Sequence, residues 1–146
     1  MKVLNELKCS FPSLSVNEAY ARTAVTAFAA QLDPTIEEIA DIRTAVSEAV
    51  TNCIVHAYRG TTGQIELCVK LLADGWLYIR IKDRGCGIPD VPKAMEPLYT
   101  TAAAEERAGL GFAVMENFMD KLSVRSAAGR GTTVTMRKQL GVQRDA

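Results

Sequence analysis

The sequence is poor in histidine and cysteine. It has one histidine, His56, and four cysteines, Cys9, Cys53, Cys68 and Cys86, which lie far apart and form no C-x-x-C pair. Neither a zinc site nor a disulfide framework is expected from that inventory, and the cysteines read as buried or inert thiols. Cys86 stands apart, set between two glycines. An excess of one charge is lacking too: 17 Lys and Arg balance 17 Asp and Glu. With no broad positive field to hold a phosphate backbone, direct nucleic-acid binding is not expected. Apolar residues are dispersed, without the run of roughly 18 that spans a bilayer, and the first residues lack the basic-then-apolar order of a signal peptide. A soluble, cytoplasmic protein with no membrane partner is expected.

What is present is a chain of 146 residues, enough for a single domain with a real core. It is read as one domain, 1–146, with 139–146 a loose tail. Val3 to Phe11 reads as a strand with Val3, Leu7, Cys9 and Phe11 on one face. Ser15 or Asn17 can cap a helix to about Gln31, and Asp33-Pro34-Thr35 opens a longer one to about Ala57. Strands follow at Gln64 to Leu72 and Trp76 to Lys82, joined by Ala73-Asp74-Gly75. From Cys86 to Gly111 periodicity is weak, as in a functional lid or a disordered segment. Leu110 to Met119 then reads as a helix, and Lys121 to Ser126 with Thr132 to Lys138 as a final hairpin. The sum is an α+β fold, a two-layer α/β sandwich with a mostly antiparallel sheet covered by helices on one face.

Several polar residues interrupt this pattern. Period two places Asp83 on the same inward face as Leu77, Ile79 and Ile81, where a carboxylate needs donors. It either caps the Asp83-Arg84-Gly85-Cys86-Gly87 turn or accepts from a ligand held over glycine backbone. On the long helix, Glu48, Asn52 and His56 recur every fourth residue and share a side. Such a row is either a solvated face or a phosphoryl-transfer pair, the carboxylate taking a hydroxyl proton and the amide oxygen ligating Mg²⁺. Gly109 and Gly111 fall at the expected loop-to-helix junction, where free N–H groups attract anions. Gly131-Thr132-Thr133 opens the last strand, for which strand propensity alone is a sufficient account.

Taken in order, Glu48-x-x-x-Asn52-x-x-x-His56, Asp83-x-Gly85-x-Gly87, Gly109-x-Gly111 and Gly131-Thr132-Thr133 resemble the N box and three glycine boxes of the GHKL ATPases. That superfamily includes DNA gyrase B subunits, MutL and sensor histidine kinases, and the resemblance implies its Bergerat fold over about Asn17 to Lys138. Ser47 to Asn52, Glu96 to Thr101, Glu106 to Phe112 and Met115 to Asp120 further resemble the compact anti-sigma serine kinases, the sporulation type most closely.

The resemblance implies a homodimeric protein that inhibits a sigma factor and uses ATP and Mg²⁺ to phosphorylate a serine on an anti-anti-sigma partner, leaving ADP. It implies Glu48 as the base or hydroxyl-orienting group and Asn52 as Mg²⁺ ligand. Asp83 would accept from the adenine amino group, over a floor of Gly85 and Gly87, supported by Thr132 or Thr133. Gly109 and Gly111 would give N–H groups to the phosphates, Thr100 and Thr101 lie in the lid, and Arg107 would meet the γ-phosphate or the incoming substrate. His56 takes a supporting role. Dimerisation through the first strand and a sigma contact at Arg22 are further implications, Arg22 being otherwise a surface arginine. In the family a lysine often follows the lid threonines, but here Ala102-Ala103-Ala104 follows. A stress-response relative, or an ATP-dependent sequestering module without kinase activity, are the alternative readings.

Overall fold

The computed structural model describes residues 1–88, 90–95 and 103–141, with 103–110 as backbone only. Strand β1, Val3–Pro12, leads into helix α1, Val16–Ala29, and then helix α2, Ile36–Asn52. Strands β2, Gln64–Leu72, and β3, Trp76–Asp83, follow; after them come the short α3, Val91–Ala94, and helix α4, Ala103–Phe118. Strands β4, Lys121–Ala127, and β5, Gly131–Gln139, complete a five-stranded sheet in the order β1-β2-β3-β5-β4. All the strand pairings are antiparallel.

Alternation builds the layers. Leu77, Ile79 and Ile81 of β3 face the same way as Ile65, Leu67 and Val69 of β2 and Val134 and Met136 of β5, and all are buried. Against them α2 contributes Ile42, Ala45, Val46, Ala49 and Val50, flanked by α1 and α4. This is the two-layer sandwich expected from pattern. Its apolar faces exclude water from one continuous core, the main favourable term in folding.

Local chemistry fixes the ends. Thr35 caps α2: its hydroxyl accepts from the Glu38 N–H at 3.1 Å, while Glu38 accepts from the Thr35 N–H at 2.9 Å. Ser15 takes the N-cap position of α1, as expected, but its side chain makes no capping bond, and the Asn17 amide donates to the Pro12 carbonyl. Val3 leaves the buried face because a register shift between Val3 and Asn5 breaks the alternation. The chain stays ordered beyond the expected start of the tail. Leu140 is fully buried, its N–H bonded to the Gly75 carbonyl, and the Gly141 N–H donates to Glu38 at 3.1 Å.

The largest difference is α4, which begins at Ala103 and not near Leu110. Alanine, glutamate and arginine between 103 and 108 are strong helix formers, and their propensity carries the helix through the glycine pair.

Candidate functional site

Asp83 ends the inward row of β3 and is 4% exposed. Its Oδ1 accepts from the Gly85 N–H at 2.9 Å and the Thr132 N–H at 3.2 Å, and its Oδ2 from the Cys53 thiol at 3.5 Å. Burial pushes the carboxyl above its ordinary pKa, against the pull of these donors. Burial, then the charge of Asp83, raises Cys53 well above its own, so the sulfur remains a protonated donor. Both the turn-capping and the ligand-facing readings of Asp83 are therefore compatible: Oδ1 holds the turn, and Asp83 also lines a cavity.

The last turns of the α2 rod are unusual. At Cys53–Ala57 the helix widens into a π-turn, a form often found at functional sites. Asn52 at the end of α2 and Cys53, His56 and Ala57 of the π-turn line a cavity opposite Asp83, Gly87, Ile88, Thr132 and Val134, with Phe112 of α4 closing one side. The volume of this cavity is about 50 Å³. Both polar atoms of the Asn52 amide are shut off from solvent with no hydrogen-bond partner among the described residues. Unpartnered buried amides are rare because each costs desolvation energy. Glu48, one turn earlier, lies beside Asn52 against α4; a Cβ added at Gly111 would come within 3.1 Å of Glu48 Oε2 and 3.3 Å of Asn52.

The glycines of the site serve close protein packing. A side chain on Gly85 would run into the Ala57 carbonyl, to which the Cys86 N–H bonds at 3.0 Å. Gly87, at φ 75°, presses on the Ala127 carbonyl, yet it also lines the cavity. Gly85 does not line it. Gly109 and Gly111 lie inside α4, so helical bonds engage their N–H groups and leave no free nest for phosphate in this conformation. Thr132 stands opposite Asp83 on the cavity side, whereas Thr133 pairs with Lys82 and points to the other face of the sheet. Thr100 and Thr101 lie outside the described residues, and Arg107 is described only as backbone within α4.

Three contributors escaped the sequence reading. Cys53 reads as an inert thiol but supports Asp83; its position directly after Asn52 was the available signal. Ser126 accepts from the Ile88 N–H at 2.7 Å and sits 2.8 Å from the Thr132 hydroxyl, tying the loop after Asp83 to the final hairpin. The Tyr58 hydroxyl accepts from the Arg84 N–H and donates to the Gln64 carbonyl, both at 2.7 Å.

Residues 11–138, which contain all of this geometry, match the family described as the histidine kinase-like ATPase domain. The chain belongs to this family. An ATPase domain implies an ATP site. The chain is also similar to proteins named anti-sigma F factor. It is 57% identical to that of Caldanaerobacter subterraneus subsp. tengcongensis, over 99% of this chain and 100% of the relative. It is 53% identical to one from Clostridium botulinum, over 94% of this chain and 96% of the other, and 46% identical to that of Geobacillus kaustophilus, over 93% of each. Among solved structures, the RsbU and RsbW domains of a Mycobacterium tuberculosis protein superpose with a TM-score of 0.68 at 22% identity. The match covers 93% of this chain and 32% of that longer one. A blue-light activated histidine kinase of Erythrobacter litoralis gives 0.59 at 20% identity, over 85% of this chain and 42% of that one. These two likenesses show the shared fold of the GHKL group.

Proposed function

We propose that this protein is a cytoplasmic, homodimeric anti-sigma factor of the sporulation sigma F type. In this reading it binds and inhibits its sigma factor and uses Mg-ATP to phosphorylate a serine of an anti-anti-sigma protein. The observation that carries the reading is the likeness, over nearly the whole chain, to proteins named anti-sigma F factor. The site supports it. Asp83 Oδ2, with only a weak thiol donor, has capacity to accept from an adenine amino group. The buried Asn52 amide fits a cation on its oxygen and a phosphate oxygen on its nitrogen.

Bound Mg-ATP supplies the transferable phosphoryl group and the cation that offsets its charge. Glu48 then takes the proton of the serine hydroxyl as its oxygen bonds to the γ-phosphorus and the bond to the ADP oxygen breaks. Arg107 is assigned to the γ-phosphate or the incoming protein, and Thr100 and Thr101 to the lid. Gly109 and Gly111 are assigned to the phosphates, which requires the start of α4 to unwind.

The test is transfer of labelled γ-phosphate to the serine of a candidate anti-anti-sigma protein. Glu48→Ala is expected to slow transfer about 10²–10⁴-fold while nucleotide still binds. Full activity in that variant removes the base assignment; nucleotide binding without any transfer by the wild type leaves a sequestering module.

A further inference from the structure

The balanced net charge hides an uneven distribution. The sheet face turned away from the helices carries Lys8, Lys70, Arg80, Lys82, Lys121, Arg125 and Arg137 against Glu6 and Glu66. The acids all lie on the β1 and β2 half. There Glu6 pairs with Lys8 at 3.6 Å and Lys70 at 3.8 Å, and Glu66 pairs with Arg84 at 3.5 Å. Among the described residues the β3, β5 and β4 half has no acid of its own. It forms a groove of about 620 Å³ lined by Tyr78, Arg80, Lys121, Arg125 and Arg137 together with serine and threonine hydroxyls. Among the described residues none of these cations is in an ion pair.

This arrangement costs the fold something. Lys121 and Arg137 are direct cross-strand partners, and like charges so placed are destabilising. Each is also held in position: Lys121 lies 5.3 Å over the Trp76 ring and Arg137 5.4 Å over Tyr78. An unneutralised, oriented set of cations beside hydroxyls is complementary to carboxylates, which arginine grips in pairs.

Register sets the spacing. Arg80 lies in the row of Thr135 and Ser123, with Arg137 and Lys121 one row to one side and Arg125 one row to the other. Rows on one face are about 6.7 Å apart, close to the roughly 6 Å rise between helical residues four apart. We propose that this groove docks an acidic helical segment of a protein partner, its carboxylates one turn apart. Nucleic acid fits less well. Both aromatic rings, which bases would stack upon, are already covered by cations, and the whole chain has no net positive charge to draw a polyanion.

The test uses the isotope-labelled full chain and a synthetic helical alanine peptide with glutamate at every fourth position, followed by NMR shifts. Shifts confined to the outward residues of β3, β5 and β4 are expected, weakening with added salt. Arg80→Gln with Arg125→Gln should reduce affinity at least tenfold without changing the melting temperature. Lys121→Gln with Arg125→Gln, both exposed on an outer strand, serves if the first pair disturbs folding. Equal affinity in the variants, or shifts elsewhere, overturns the proposal. So does tighter binding of a short DNA duplex at the groove, which assigns it to nucleic acid, or self-association lost in the variants, which assigns it to a second copy.

Discussion

Asp83 divides its two oxygens between the fold and the cavity. Oδ1 is committed to the N–H groups of Gly85 and Thr132, while Oδ2 meets the Cys53 thiol. In Asp83→Asn the amide oxygen can keep the two backbone bonds, which turns its NH₂ toward Cys53 and the adenine position, where donor faces donor. Nucleotide affinity should fall about tenfold or more, equivalent to roughly 1.4 kcal/mol; unchanged affinity by calorimetry would remove Asp83 from the adenine role. The raised carboxyl pKa adds a pH dependence. Because the folded value lies above the unfolded one, the folded protein takes up the proton first as pH falls. This group therefore adds stability on acidification through the folded value and subtracts it as pH rises back through that value. Nucleotide affinity should move oppositely, dropping on acidification from above the ordinary carboxylate range, and Asp83→Asn should flatten that profile. The inward direction of Asp83 was legible because β3 alternates strictly. The reason for Gly85 and Gly87 was not, since the atoms they make room for belong to Ala57 and Ala127, distant in sequence.

At the scale of elements, strands β2 and β3 and the start of α2 follow from sequence because period, cap residues and turn residues agree there. The loop-to-helix boundary before α4 was misread because a glycine pair resembles a helix start, although the alanines and charges ahead of it favour helix. The π-turn at Cys53–Ala57, which borders the cavity, leaves no local signature. One lysine ties the elements together. Lys138, buried on β5, donates to the Phe118 carbonyl at the end of α4 at 2.7 Å and pairs with Asp41 of α2 at 3.5 Å. A cation there satisfies a terminal carbonyl and complements the helix dipole. Lys138→Met keeps the apolar stem and removes both interactions, and should cost about 2 kcal/mol of stability. Urea unfolding would measure it, and Asp41→Asn in the same chain should recover part of the loss. No loss in Lys138→Met would make the contact incidental.

At the scale of the whole molecule, the cavity that the described residues leave between the helical layer and the sheet is too small for a nucleotide. The cavity between them, at about 50 Å³, is far below the roughly 300–1,000 Å³ of ordinary small-molecule sites. The two-layer architecture was legible, because alternation and amphipathic stripes fix which faces meet. The separation between layers was not, since it depends on how α4 packs over α2, with Gly111 against Glu48 and Asn52. Phe112, 2% exposed on the cavity wall, is the largest apolar side chain holding α4 there. Phe112→Ala should therefore have two effects of opposite sign. Loss of its packing should lower stability by about 3–5 kcal/mol. Removal of the wall should speed nucleotide association, because less of the helical layer must be displaced before the ring can reach Asp83. Stopped-flow binding at a temperature where the variant remains folded separates the two. A destabilised variant with an unchanged association rate would mean that entry is controlled elsewhere, and that Phe112 belongs to the core alone.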